Sequence, residues 1–173
     1  MTDLQRSKVY AAESLVCRIY DRAERTDDRR VELHGSTIAL PIERRFASVE
    51  SMQRYVDLVL NLGSVQTAWP ERAAVPVTVR ARRGQAKAHY ERATSTIAIP
   101  PHEHNRAWAM RELVLLHELA HHLAPEALSA AHGPEFADRY LSLVGEIVGP
   151  EAGLLLRTAM HEGGVRMAEG IQL

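Results

Sequence analysis

The most informative stretch of this sequence is Leu113-Val114-Leu115-Leu116-His117-Glu118-Leu119-Ala120-His121-His122, an apolar run that carries three histidines and a glutamate. Its spacing predicts a helix, and residues four apart in a helix lie on the same face. His117 and His121 can therefore offer their imidazoles to one metal ion. Glu118 is about 100° around the helix from His117. We expect it beside the ion and not among its ligands.

The His-Glu-x-x-His pattern is typical of zinc chemistry. Neutral imidazoles hold Zn²⁺ in catalytic sites, and the ion lowers the pKa of a bound water to about 7. A neighbouring carboxylate can accept the proton of that water as it attacks a carbonyl carbon. The pattern therefore predicts that His117 and His121 bind one Zn²⁺ per chain and that Glu118 is the general base.

A zinc site of this kind needs a third protein ligand, and His132 is the best candidate. It lies eleven residues after His121, within Ala131-His132-Gly133-Pro134-Glu135-Phe136. Pro125 is expected to end the first helix, and Gly133-Pro134 to turn the chain and begin another. A histidine just before the new helix can fold back over the first one. Glu135 and Glu146 are the alternative third ligands.

One related pattern is excluded. Metzincins place a glycine three residues and a histidine six residues after the second histidine of the motif. Ala124 and Ala127 occupy these positions here. The third ligand must therefore come from outside the metzincin spacing.

The paired motif, His117-Glu118-Leu119-Ala120-His121 followed by His132-Gly133-x-x-Phe136, resembles the signature of SprT-like zinc metallopeptidases. The resemblance covers about residues 75 to 148, and more loosely the whole chain is similar to an actinobacterial family of uncharacterised metallohydrolases. It implies that the three histidines bind zinc, that Glu118 is catalytic and that the substrate is a protein or peptide. Many SprT-like proteins add a cysteine-rich zinc ribbon, whereas this chain has Cys17 as its single cysteine.

The fold is expected to be α+β, with a zincin-like core made of a small antiparallel sheet and the metal helix. Alternating patterns predict strands at 77–81, 86–91 and 95–99, and the metal helix is predicted to span about 105–123, capped by Asn105 and with Trp108 in the core. The resemblance implies that the strand Thr96 to Ile99 runs along the cleft. Its exposed edge would then pair with an extended peptide.

Further helices are predicted at both ends of the chain. They span about 3–25, 48–62 (ending before Gly63), 134–148 and 151–162, with a hairpin around His34-Gly35 and a linker over 69–76. The chain of 173 residues is expected to be a single domain. Residues 1–74 would form a helical cover, 75–148 the catalytic core, and 149–173 a C-terminal helix and tail.

Composition and charge narrow the function classes. Hydrophobic residues make up 46% and charged residues 25% of the chain, which is typical of a globular protein. The formal net charge of −1 gives no overall attraction to nucleic acid or anionic lipid. No apolar run reaches signal-peptide or membrane-spanning length. We therefore expect a cytoplasmic protein that does not associate with membranes.

Other histidines and polar residues have weaker claims to a role. His122 points away from His121 and is expected beside the ligands or at the surface. The histidines of His102-Glu103-His104, together with His89 and His161, are expected to be ordinary loop, packed or surface residues. Tyr140 is expected in the core, with an oxyanion role as the alternative. Asp138 is a candidate to orient a ligand imidazole.

A cluster of basic residues precedes the metal helix. It consists of Arg80, Arg82, Arg83 and Lys87. SprT-like relatives include proteases that act on proteins attached to DNA, so phosphate binding is one interpretation. A solvated hairpin face is favoured, because no aromatic stacking platform accompanies the charges.

These observations predict a zinc-dependent hydrolase, most readily a metallopeptidase. The alternative is a non-catalytic, zinc-stabilised binding module that associates with DNA or another partner. A fourth protein ligand would favour that alternative, since structural zinc sites are closed by four protein ligands.

Overall fold

The computed structural model describes residues 3–82, 87–100, 109–125 and 131–168. Within these ranges the chain is a mixed α+β protein with seven α-helices and two small β-sheets, which confirms the predicted α+β class. None of the helices described is long and apolar enough to cross a membrane. The chain divides into two compact units. The first comprises Met1–Glu43 and Leu128–Leu173, and the second Arg44–Ala127.

The elements follow the chain in this order: α1 (Arg6–Thr26), β1 (Arg30–Leu33), β2 (Ser36–Ala39), α2 (Val49–Leu60), α3 (Gly63–Ala68), α4 (Pro70–Ala73), β3 (Thr78–Ala81), β4 (His89–Glu91), β5 (Thr96–Ile99), α5 (Glu112–His122), α6 (Pro134–Ile147) and α7 (Pro150–Glu162). A 3₁₀ turn over Arg92–Thr94 joins β4 to β5. Helices α6 and α7 both begin on a proline, as predicted for α6, because the first turn does not need the missing N–H.

The first unit is a helical layer with a hairpin. Helix α7 packs against α1 and α6. All three helices contribute buried apolar side chains: Val9, Val16, Tyr20, Phe136, Tyr140, Leu143, Leu156 and Met160. Strands β1 and β2 pair antiparallel around His34 and Gly35, whose φ angles are 48° and 80°. Positive φ at both central residues is what a tight two-residue hairpin turn requires, and the predicted hairpin is confirmed.

The second unit begins with α2, whose N-terminus matches the sequence prediction. Ser48 and Ser51 form a capping box in which each side chain bonds the backbone N–H of the other. Helix α2 also ends before Gly63, as predicted. Two short helices that were not predicted follow it: α3 starts at Gly63, and α4 occupies part of the predicted 69–76 linker. Pro70 at the start of α4 favours a new helix as readily as a linker.

The predicted antiparallel sheet is wrong in its topology. The strand order is β3-β5-β4, with β5 parallel to β3 and antiparallel to β4. All four residues of β5 are buried, whereas β3 and β4 are mostly exposed. The most apolar strand therefore takes the centre of the sheet, where both of its faces are covered. As a result β5 is not an edge strand, and the expectation that its edge is open to a peptide was also wrong.

The metal helix begins later than predicted. Helix α5 starts at Glu112, and the expected cap Asn105 and core residue Trp108 lie outside the described residues. The backbone around Arg111 is extended, because it pairs with the segment around Arg45. Phe46 N–H donates to the Met110 carbonyl at 2.9 Å, and Glu112 N–H donates to the Arg44 carbonyl at 3.0 Å. This long-range pairing leaves no signal in local helix periodicity.

The contact between α6 and α7 makes a testable prediction about stability. A Cβ atom added to Gly153 would lie 2.8 Å from Gly145 Cα and 3.2 Å from Gly145 N. Backbone atoms cannot swing aside, so Gly153→Ala forces the two helices apart. Overpacking of this kind costs about 1–3 kcal/mol, and the gain in helix propensity returns up to about 1 kcal/mol. We expect urea denaturation to show a net loss of about 1–2 kcal/mol in the free energy of unfolding.

Gly145 supplies the matched control for this prediction. A Cβ atom at Gly145 would meet Gly153 Cα at 4.0 Å, an ordinary van der Waals contact. Gly145→Ala is therefore expected to leave stability unchanged or to raise it by up to about 1 kcal/mol through helix propensity. Equal effects of the two substitutions would contradict the close approach at Gly153.

Candidate metal centre

Three histidines form the candidate metal centre. The metal-ligating atoms of His117, His121 and His132 all lie within 4.8 Å of one another. His117 and His132 are buried, with 1% and 4% of their surface exposed, and His121 is half-buried. The rings of His117 and His121 stand 5.1 Å apart between centroids, as their spacing of four residues on α5 dictates. The structure therefore brings together the three ligands predicted from the sequence.

This arrangement fits a zinc ion. Two nitrogens bound tetrahedrally at about 2.0–2.1 Å from one Zn²⁺ are separated by roughly 3.3 Å, so ligand atoms within 4.8 Å need only small side-chain adjustments. Neutral imidazole nitrogen is a preferred ligand of Zn²⁺ and suits several other transition metals. The three histidines therefore lie close enough to bind a metal ion, and zinc is one of the ions that their nitrogens suit.

The ligand group contains three residues within the described part of the chain. Glu135 and Glu146, the alternative third ligands, are not members of it. Glu135 is exposed at the start of α6, and Glu146 lies near the end of the same helix. Glu118 is 3% exposed and adjoins His117 on α5. Glu118 thus lies next to His117 in sequence and is not a member of the group, and its role as a general base stays a prediction.

The position of His132 is built from the N-terminal segment and the start of α6. Its Nδ1 atom lies 2.6 Å from Asp3 Oδ2, and its backbone carbonyl accepts a hydrogen bond of 3.1 Å from Gln5 Nε2. Phe136 and Tyr10 place their rings 4.8 Å and 5.4 Å from the His132 ring. The aromatic residue of the His-Gly-x-x-Phe motif therefore packs on the histidine itself.

The carboxylate beside His132 is not the one predicted. Asp138 was the sequence candidate for orienting a ligand imidazole, but its side chain accepts a hydrogen bond from the Ala168 backbone. Burial raises the pKa of the Asp138 carboxyl above its usual value. Asp3 is the carboxylate that contacts His132, and its distance in sequence explains why local spacing did not find it.

The first turn of α5 is anchored by a buried carboxylate. Glu112 is fully buried. It accepts hydrogen bonds from Arg44 N at 2.9 Å, from Arg44 Nη1 at 2.6 Å and from Tyr55 Oη at 2.6 Å. The bond to Glu112 raises the pKa of the Arg44 guanidinium. The helix dipole favours a negative charge at the N-terminus of a helix, and the three hydrogen bonds to Glu112 stabilise its carboxylate further. These bonds fix the N-terminal end of α5.

Two arginines cap the other end of α5. Arg72 Nε donates to the His122 carbonyl at 2.9 Å, and Arg92 Nη2 donates to the Ala124 carbonyl at 2.9 Å. The last carbonyls of a helix have no partners within it, and cations are favoured there. The turn that carries His121 is therefore held at its C-terminal side by charges from outside the helix.

His122 belongs to this capping network and not to the ligand group. Its Nε2 donates to the Arg72 carbonyl at 2.9 Å, so its Nδ1 accepts from Tyr90 Oη at 3.0 Å. Burial lowers the pKa of the His122 imidazole from its usual value near 6.5 to about 4. His122 is thus a neutral, buried residue that ties the end of α5 to β4.

The remaining sequence candidates lie elsewhere. Tyr140 is fully buried, and its hydroxyl donates to Glu13 at 3.2 Å, which supports the core interpretation over the oxyanion one. Burial, followed by the negative charge of Glu13, raises the pKa of Tyr140 well above its usual value. His89 and His161 are exposed and outside the ligand group. The stretch His102-Glu103-His104 lies outside the described residues.

The basic cluster is only partly described. Arg82 Nη1 donates to the Lys87 carbonyl at 3.2 Å and lies 2.8 Å from His89 Nδ1, and Arg80 Nη1 donates to the Ala81 carbonyl at 3.4 Å. Partial burial and the charges of Arg82 and Arg80 lower the pKa of His89. Arg83 lies outside the described residues. Arg80 thus bonds within its own strand β3, and Arg82 contacts the segment that leads into β4.

Comparison of the chain with known proteins found no similar protein. No protein-family model matches the chain, and neither the curated proteins nor the solved structures give a significant match.

Proposed function

We propose that this chain is a zinc metallopeptidase with a zincin-like core of the SprT-like type. The observation that carries the proposal is the group of His117, His121 and His132, together with the buried Glu118 on the helix that carries the first two. Three protein ligands is the number used by catalytic zinc sites, whereas structural sites use four. Bound zinc supplies Lewis acidity toward a carbonyl oxygen and lowers the pKa of water.

The histidines and the glutamate of the centre have different roles in the proposed reaction. The three histidines hold the metal as neutral nitrogen ligands. Glu118 accepts a proton from the attacking water and afterwards delivers it to the leaving amine. Because Glu118 is 3% exposed, its carboxylate is largely shielded from bulk water. The anchors at Glu112 and Arg72 hold both ends of α5, the helix that carries His117, Glu118 and His121.

The sheet supports a peptide as the substrate. Strand β5 is paired on both sides. Gln53 occupies the outer side of β3, donating to the Val77 carbonyl at 2.8 Å and accepting from Val79 N–H at 2.7 Å. Among the described strands, none pairs with β4 on the side away from β5. An extended peptide that adds to this sheet would therefore pair with β4. Pairing of this kind uses the backbone hydrogen bonds of the peptide and does not depend on its side chains.

Metal content and hydrolysis together test the proposal. We expect the purified protein to hold about one zinc per chain by plasma mass spectrometry, as three histidine ligands require. We also expect it to cleave unfolded casein. A chelator should abolish cleavage, and added zinc should restore it.

Two results would count against this function. A protein that neither contains zinc nor takes it up after chelation would remove the metal centre. A protein that holds zinc but leaves casein and a mixed peptide library intact would instead support a zinc-stabilised binding module.

A further inference from the structure

The N-terminal segment ahead of α1 is tied to His132 at two points. Asp3 Oδ2 lies 2.6 Å from His132 Nδ1, and Gln5 Nε2 donates to the His132 carbonyl at 3.1 Å. Gln5 also bonds to the backbone of Arg166 in both directions, donating to its carbonyl and accepting from its N–H. Gln5 is 5% exposed. The segment is therefore held between the His132 turn and the chain after α7, and the Asp3 contact is part of a built arrangement.

We propose that Asp3 is a positioning residue of the metal centre, which selects the nitrogen that His132 offers to the metal. This inference rests on the proposed function, because it presupposes that His132 is a ligand. A carboxylate only accepts hydrogen bonds, so Nδ1 of His132 carries the proton of the short contact. The lone pair that remains is on Nε2, and that atom is the metal ligand.

The ring of His132 also contacts two aromatic rings. Phe136 and Tyr10 pack beside it with interplanar angles of 64° and 52°. These contacts restrict where the ring lies but do not distinguish its two nitrogens. Asp3 adds that distinction, and its negative charge also makes the ring a better electron donor to a cation. The side chain of Asp3 is 25% exposed and that of His132 is 5% exposed, so water screens the contact only in part.

Zinc affinity in Asp3 variants tests this role. The apo protein and the variants Asp3→Ala and Asp3→Asn are titrated with zinc against a competing chelator. Loss of a carboxylate that orients a ligand histidine typically weakens metal binding about 10- to 100-fold. We expect that loss for Asp3→Ala, and a smaller loss for Asp3→Asn because its amide oxygen can still accept from Nδ1–H. The Co²⁺-loaded variants should also show an altered d–d absorption spectrum.

Asp138→Asn is the matched control. It removes a half-buried carboxylate of the same unit that bonds to Ala168 and not to a histidine. Its zinc affinity and Co²⁺ spectrum should match those of the parent. Thermal melting of each apo variant identifies those that are folded at the titration temperature. If Asp3→Ala does not fold, Asp3→Asn decides the question alone.

The outcomes separate this inference from the function on which it rests. Parent-like zinc affinity and Co²⁺ spectra in folded Asp3 variants would overturn the positioning role while leaving the metal centre in place. A parent protein that binds no zinc would overturn both. A loss of affinity in Asp138→Asn equal to that in Asp3→Ala would also overturn the inference, because removal of any nearby carboxylate would then suffice.

Discussion

Replacing Glu118 by glutamine is expected to reduce casein hydrolysis by about 10²- to 10⁴-fold, the range that general acid–base catalysis contributes. Glutamine has the same shape as glutamate but cannot accept a proton at neutral pH. The residue is 3% exposed, and an isosteric neutral side chain fits the same space without burying a new charge. Zinc content should stay at about one per chain, because Glu118 is not in the ligand group. The measurements are kcat/KM and metal content on the same preparation.

Glu135→Gln is the control for this substitution. Glu135 also follows a predicted ligand closely in sequence, but it is exposed and outside the ligand group. Its variant should keep both zinc and activity. If Glu118→Gln retained activity within about threefold of the parent, the base mechanism would be removed, since a catalytic base contributes far more than that.

The candidate centre was predictable from sequence because its signals are local. His117 and His121 are four apart on one helix, and their meeting needs only the helical repeat. His132 was identified by the Gly133-Pro134 turn that begins α6, which the structure shows at the predicted place. The capping box at Ser48 is likewise a short-range signal with a specific backbone partner.

The residues that support the centre were not predictable, because their partners are distant in sequence. Asp3 and His132 are 129 residues apart, and Arg72 and His122 are 50 apart. An aspartate near a chain end or an arginine in a short helix has no local feature that marks its partner. Such contacts depend on tertiary packing, which periodicity does not encode.

The sheet shows the same division between local and distant information. The strand segments were recognisable from alternation, and β4 and β5 are joined by a short turn. The order of the strands in the sheet could not be recognised from the sequence, because β5 (Thr96–Ile99) inserts between β4 and the earlier strand β3. The run Thr-Ile-Ala-Ile does contain a clue, since an apolar strand buried at every residue belongs in the interior of a sheet.

Removal of His132 is expected to weaken zinc binding more than removal of Asp3 does. His132→Ala leaves two imidazoles from one helical turn, and each lost ligand removes a direct bond to the ion. We expect the zinc dissociation constant to rise by more than about 100-fold, beyond the range seen when only an orienting partner is lost. Chelator competition on the apo protein measures this, with casein hydrolysis at a fixed zinc concentration as a second readout.

His161→Ala is the control, because His161 is exposed on α7 and outside the ligand group. Its zinc affinity should equal that of the parent. His132→Ala also removes ring contacts with Phe136 and Tyr10, so melting of the apo variant must show that it is folded. If a folded His132→Ala protein bound zinc as tightly as the parent, the third zinc ligand would be Glu135 or Glu146 and not His132. Adding Glu135→Gln or Glu146→Gln to that variant would then identify which carboxylate binds zinc. The SprT-like assignment would be contradicted, because it depends on His132 as a ligand.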